Sequence, residues 1–262
     1  MPTLTLATWN INSVRIRLPH LARYVGQAKP DVLCLQEIKC REGEFPANAF
    51  TEMGFKHLAI IGQKGWHGVA VASRFPITVI DAPDLCRHGE ARVQAVRVKE
   101  LEIHNLYVPA GGDTPDPTAN PKFDHKLHFI ARMRTLYAGL SGPRVLVGDL
   151  NIAPGEHDVW SHKQLLEVVS HTPIETAGLE AARTAGGFID LARALRPADE
   201  KLFTWWSYRS PDWRANNRGR RLDHIWASPD IAVRADRFTI TPDTRDWEKP
   251  SDHVPVSVRI KL

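Results

Sequence analysis

Apolar residues recur along the chain in short alternating runs, each closing on a polar turn. Leu4 and Leu6 lead into Asn10-Ile11-Asn12, a period-two pattern that predicts an opening strand with a polar end. A helix is predicted to follow: Ser13 can cap it, Val14, Leu18, Leu21 and Val25 recur at helical spacing, and Pro30 stops it. Residues 31–36 then read as a strand of the buried type. Further strands are predicted at 68–73, at 92–98 joined through a Lys99-Glu100 turn to 101–108, and at 144–148, with a helix over 123–140 before the last. In the second half, 222–227, 234–241 and 254–260 continue as strands.

The strand that ends in Asn10-Ile11 has an echo in 144–148, which ends in Asp149-Leu150-Asn151-Ile152. Two half-chains built alike, each giving a mixed sheet covered on one face by helices, predict an α/β protein. Its form would be a four-layer α/β sandwich of two face-to-face mixed β-sheets flanked by helices. Pro and Gly gather in short turn-like clusters such as 109–121, and no linker divides the chain, so residues 1–262 read as one domain.

Composition narrows the class. With 262 residues, 43% of them hydrophobic, the chain can bury a large core. No window approaches the roughly 20 apolar residues of a membrane helix, and the alternating segment close behind Met1 leaves no space for a secretion signal, so a cytoplasmic protein is expected. The cysteines Cys34, Cys40 and Cys86 are odd in number and lack C-x-x-C spacing, which suits a reducing compartment. A net charge of +4 favours an anionic partner. The basic residues are densest over 209–221, which also holds Trp213 and follows Trp205 and Trp206. Cations interleaved with aromatics are what a surface that tracks phosphates and stacks bases requires.

The chemistry concentrates at strand ends. Asn10, Glu37, Asp149 with Asn151, Asp223, and Asp252-His253 each place a polar acceptor just beyond or within an apolar strand, and their joint occurrence predicts convergence on one rim. Carboxylates and carboxamides are the hard oxygen ligands that Mg²⁺ prefers, and the clustered Cys and His of a zinc site are missing from these segments. Tyr107, at a strand end, is expected to aim its hydroxyl at a phosphate or leaving group. His125 and His128 sit three apart on the 123–140 helix with no third ligand near them in sequence. They read as a solvated face, and Lys126 beside them as a phosphate contact.

Through Trp9-Asn10-Ile11-Asn12, Leu35-Gln36-Glu37, Gly148-Asp149-Leu150-Asn151-Ile152 and Ser251-Asp252-His253 the chain resembles the exonuclease III and AP endonuclease family of the endonuclease/exonuclease/phosphatase superfamily. The resemblance runs nearly end to end. Gly62-Gln63-Lys64, Gly68-Val69-Ala70, Tyr107-Val108-Pro109, Phe203-Thr204-Trp205, the run from Asn217 through Gly219 to Leu222-Asp223, and Glu248-Lys249-Pro250 point to its DNA-cutting branch.

The resemblance implies an active site at the sheet rim, with Mg²⁺, or Mn²⁺ in its place, held by Glu37 and completed or bordered by Asn10, Asp149, Asn151, Asp252 and His253. One-metal and two-metal schemes both remain open. Asp223 would fix the tautomer of His253, and either His253 or Asp149 would be the general base. Asn151 would share the neutralisation of phosphate charge.

For DNA contacts the reading is Arg92, Lys122, Trp205 and Arg218, with Trp206 and Arg209 next. An apolar pocket lined by Trp205 would admit a bare abasic sugar. The implied reactions are incision 5′ of abasic sites in duplex DNA, 3′-to-5′ exonuclease action, and 3′-phosphatase or phosphodiesterase action, carried out by a monomer. Many relatives of that family carry an amide side chain after the Tyr-Val-Pro segment where this chain has Ala110-Gly111-Gly112, and residues 159–183 match no motif. A phosphatase of the same superfamily and a non-catalytic DNA-binding scaffold are the competing readings. Intact Glu37, Asp149 and His253 oppose the second, and the absence of a lipid-contacting apolar segment opposes a lipid phosphatase.

Overall fold

The computed structural model describes residues 2–210 and 212–262; Met1, and Pro211 within the basic stretch, lie outside the described residues. Strands follow in chain order as β1 (Thr3–Asn10), β2 (Val32–Gln36), β3 (His57–Ile61), β4 (Val69–Ser73), β5 (Ile77–Ile80), β6 (Val93–Val98), β7 (Leu101–Tyr107), β8 (Arg144–Asp149), β9 (Ile189–Asp190), β10 (Asp223–Ala227), β11 (Ala235–Ile240) and β12 (Val256–Lys261). They form two six-stranded sheets, ordered β11-β12-β1-β2-β4-β3 and β5-β6-β7-β8-β10-β9. The β1–β2 and β7–β8 pairs are parallel and the rest antiparallel, so both sheets are mixed.

Alternation along the strands builds the layers. Leu4, Leu6, Val32, Cys34 and Val71 of the first sheet meet Val96, Ile103, Val145, Val147 and Ile225 of the second in one buried interior. Their neighbours Ala7, Trp9, Leu33 and Leu35 face outward, beneath helices α1 (Leu18–Ala28) and α2 (Ala47–Glu52). On the other side Leu106, Leu146 and Trp226 pack under α3 (Pro121–Tyr137) and, beyond the short α4 (His162–Leu165), under α5 (Pro173–Ala185). Each fully buried Leu or Val of these faces is worth about 1.5–3 kcal/mol relative to an exposed one. The four-layer sandwich expected from the sequence is the observed one.

Three details differ from expectation. The sheets do not divide the chain into halves: β11 and β12 return to pair with β1, so the first sheet holds the segments nearest both ends of the chain. Helix α1 starts at Leu18, with Pro19 in its first turn; Ser13 has φ 89°, a left-handed backbone that cannot serve as the predicted cap. Strands β3 and β5 carry too little alternation to have been read, and both lie on sheet edges. No helix among the described residues is long and apolar enough to cross a membrane.

Candidate active site

Strand register brings the polar ends together. Asp149 on β8 stands opposite Tyr107 on β7 and Asp223 on β10, while Asn10 on β1 stands opposite Gln36, one residue before Glu37. Gly148 makes the central alignment possible. Its φ is 135°, and a Cβ there would lie 1.9 Å from the Leu106 carbonyl oxygen, so only glycine lets β8 approach β7 this closely. Beyond the strands the chain turns sharply: Glu37 (φ 50°) and Asn151 (φ 53°) both take left-handed backbone, which aims their side chains back over the rim. Below the rim, Gln36 donates to Thr8 Oγ1 at 2.9 Å and to Asn105 Oδ1 at 2.6 Å, a buried polar tie between the two sheets.

At the centre, His253 Nδ1 lies 2.8 Å from Asp223 Oδ2, and its Nε2 lies 3.6 Å from Asp149 Oδ2. The Asp149 carboxylate accepts from Asn10 Nδ2 at 2.9 Å, Asn151 Nδ2 at 3.1 Å and the Asn151 backbone N–H at 2.9 Å. Asn10 Nδ2 also reaches Glu37 Oε1 at 2.9 Å, the oxygen that accepts from Tyr107 Oη at 2.7 Å, and Lys39 Nζ holds the other Glu37 oxygen at 2.8 Å. Asp252 accepts from Trp205 Nε1 at 2.9 Å and Asn12 Nδ2 at 3.1 Å. Two ties across the length of the chain fix the assembly: Trp9 Nε1 donates to the His253 carbonyl at 3.0 Å, and Ser251 Oγ to that of Asn10 at 2.7 Å.

The electrostatics follow from burial and crowding. Burial raises the Asp149 carboxyl; His253 opposes this and Asp223 adds to it, leaving Asp149 well above the carboxylate range. Burial alone would lower the His253 imidazole, but Asp223 and Asp149 outweigh it and push it up, so one proton is held tightly between the ring and its carboxylates. Burial also works against ionised Glu37, yet the Lys39 ammonium and the Asn10 and Tyr107 donors bring it down to about 2. Burial, then Glu37, raises the Tyr107 hydroxyl, which therefore stays a proton donor.

Asp149, Asp223 and His253 each present a ligand atom within 4.8 Å of the others, a spacing that can hold a metal ion. The donors around Glu37 are oxygens and amides. Carboxylate and amide oxygens gathered at this spacing are the donor set of a hard divalent cation, so such an ion fits these residues.

These groups open into a cleft of about 870 Å³ whose walls include Trp160, Trp205, Trp206, Arg209, Arg218 and Arg220. It is not the apolar pocket expected: three arginines share the wall with the aromatics. Trp205 lines it, and the Arg218 guanidinium is exposed in it, 4.7 Å above the Trp160 ring. Lys122 is exposed on the first turn of α3, beside Gly112.

Arg92, read as a DNA contact, is only 6% exposed. Its Nε pairs with Glu90 at 2.5 Å and its guanidinium lies 4.7 Å over the Tyr107 ring, so it braces Tyr107 from behind. Lys126 is likewise no phosphate contact. It is fully buried against Glu175 at 2.5 Å and donates to the carbonyls of Asn151 at 2.7 Å and Ala110 at 3.2 Å. Glu175 belongs to the unmatched 159–183 stretch, which therefore anchors the loops bordering the cleft. His125 is buried as well, at 5% exposure, rather than part of a solvated face. Sequence reasoning gave no role to Lys39, Asn12 or Arg220, although Asn12 and Arg220 lie within the motif segments and Lys39 stands two residues from Glu37.

Two mixed sheets with a carboxylate, amide and histidine cluster at their common rim define a hydrolase built for phosphate esters, and the comparisons identify its kind. The sequence model described as the Endonuclease/Exonuclease/phosphatase family matches residues 7–253, and the chain belongs to that family, in its exonuclease III and AP endonuclease branch of DNA-repair nucleases. It is 31% identical over 275 aligned positions to exodeoxyribonuclease III of Haemophilus influenzae, covering 97% of this chain and 98% of that one. An AP endonuclease structure from Archaeoglobus fulgidus superposes with a TM-score of 0.92 at 30% identity, over 99% of this chain and 100% of the other. A structure of the Neisseria 3′ phosphatase NExo, in a substituted form bound to product DNA hairpin, gives 0.89 at 31% identity, again over 99% and 100%.

Proposed function

We propose that this nuclease uses Mg²⁺ to incise duplex DNA on the 5′ side of abasic sites and to process 3′ ends, removing nucleotides and terminal phosphates. The observation that carries this reading is the Asp223–His253–Asp149 line at the floor of a cleft walled by tryptophans and arginines. Glu37, with Asn10, Asp149, Asn151 and Asp252 around it, would hold Mg²⁺, which when bound supplies positive charge against the phosphate oxygens.

The chain's own groups do the rest. Asp223 fixes the His253 ring, and the His253–Asp149 pair takes the proton from the attacking water. Tyr107, kept protonated and braced by Arg92, is available as a donor to the leaving 3′ oxygen. Asn151 adds its amide N–H to the charge developing on the phosphate oxygens. Trp205, Arg218 and Lys122 receive the DNA strand through stacking and phosphate contacts. We place the protein in the cytoplasm as a one-domain monomer, a reading supported by three buried free cysteines.

The arginines in the cleft favour a second emphasis within this reading. Arg218 and Arg220, lining the same cleft as the reacting groups, suit an anionic 3′ end better than they suit a bare sugar. Duplexes bearing one abasic-site analogue, a 3′ phosphate or an intact recessed 3′ end, each incubated with Mg²⁺ or EDTA, separate the activities. EDTA-sensitive incision 5′ of the analogue is the expected result. Release of phosphate or nucleotides alone would make end processing the main reaction, and no cleavage of any duplex with Mg²⁺ or Mn²⁺ would overturn the proposal.

A further inference from the structure

Behind Tyr107, outside the cleft, the loop between β5 and β6 meets the first turns of α3. Cys86 Sγ lies 3.4 Å from His125 Nε2 and 3.9 Å from Glu90 Oε2, and the three donors fall within 4.8 Å of one another. Cys86 is 8% and His125 5% exposed, while the Glu90 side chain is 24% exposed, with Oε2 also held by Arg92 Nε at 2.5 Å and Oε1 3.5 Å from His67 Nε2. The His88 ring stands 4.2 Å from that of His125.

Sulfur, imidazole and carboxylate together select a borderline-soft ion over Mg²⁺. With Zn–S near 2.3 Å and Zn–N near 2.0–2.1 Å, two ligands on a tetrahedral zinc stand about 3.5 Å apart, which is the Cys86–His125 spacing. Burial, then His88, lowers His125 to about 4, so its ring is neutral at neutral pH and has a lone pair to give. Cys86 and Glu90 come from the loop and His125 from the helix.

We propose that Cys86, Glu90 and His125 form a binding site for a zinc-class divalent cation, separate from the oxygen-lined catalytic cleft, that clamps the 85–90 loop onto α3. The fourth position falls to water or to His88. On binding, the Cys86 thiol gives its proton to solvent as the sulfur–metal bond forms, with no change in oxidation state. Glu90 also pairs with Arg92, so the clamp stands one ion pair away from the residue that braces Tyr107.

Titration of the full chain with Co²⁺ in Mg²⁺ buffer tests the site, because a thiolate ligand gives a near-ultraviolet charge-transfer band that an oxygen-lined site cannot. We expect the band to saturate at one equivalent, to be bleached by Zn²⁺, to vanish in Cys86→Ser and to need about tenfold more Co²⁺ in His125→Gln. Should those variants fold poorly, the wild-type chain still decides: Zn²⁺ should slow alkylation of Cys86, followed by peptide mass, about tenfold or more. No band at millimolar Co²⁺, a band retained in Cys86→Ser, or alkylation indifferent to Zn²⁺ would each overturn the proposal.

Discussion

A few side chains in this protein sit in surroundings that their neighbours in sequence do not share, and the His253–Asp149 pair is the sharpest case. Asp149 strengthens the hold of His253 on its proton, and the charged ring in turn eases ionisation of Asp149. Both are therefore predicted to act on chemistry rather than on DNA affinity. His253→Ala and Asp149→Asn should each lower turnover by roughly 10²–10⁴-fold while the Kd for an abasic duplex, measured in Ca²⁺ or EDTA, changes little. Turnover close to wild type in either variant would remove it from the mechanism. The convergence of these residues was legible because Asn10, Glu37 and Asp149 each close an apolar run and Asp252-His253 stand just before one. Arg92 was misread because the Tyr107 ring on β7 that its guanidinium covers is fifteen residues away (107 − 92); Glu90, two residues before it, was the one local hint of a structural pair.

At the scale of elements, long-range pairs decide how loops are held. Lys126 on α3 and Glu175 on α5 lie 49 residues apart (175 − 126), yet they form a fully buried ion pair whose ammonium also ties down the Ala110 and Asn151 loops. Removing one partner strands the other charge, so Glu175→Gln is expected to cost about 3–5 kcal/mol in urea unfolding. A loss well under 1 kcal/mol would mean that Lys126 reaches water. Such a pair could not be read from the sequence, since only α3 is predicted as a helix, residues 159–183 match no motif, and neither segment records which face meets the other. Strand order was legible only in part for the same reason: alternation predicts that 254–260 is a strand, while its place beside β1 depends on chain return.

The whole molecule carries its charge unevenly, and two bulk measurements should report it. With a net charge of +4 and exposed Arg218 in the cleft, duplex binding should weaken with salt, and Arg218→Ala should reduce the slope of log K against log salt by about 1. An unchanged slope would place Arg218 away from the phosphates.

Acid stability depends on His224, buried with Nε2 2.8 Å from the Ile152 carbonyl and Nδ1 3.1 Å from Arg221. Burial, then Arg221, lowers it to about 4, so the fold takes up its proton less readily than the unfolded chain. Stability from this residue is complete above about pH 6.5 and is lost as pH falls through 4, by about 3 kcal/mol. A denaturation midpoint that is flat between pH 7 and 4 would contradict this, and His224→Gln should flatten part of the fall.

The return of β12 to β1 also has a consequence in time. Asn10 and His253 share one site, joined by the ties from Trp9 to His253 and from Ser251 to Asn10. During synthesis the first strand waits, with its Asn10 in place, through more than two hundred residues before the histidine arrives, since the two are 243 positions apart (253 − 10). Until that last segment docks, the rim can hold Asn10 and Glu37 but not the imidazole beside Asp149, so the site cannot be complete before residue 253 has been made.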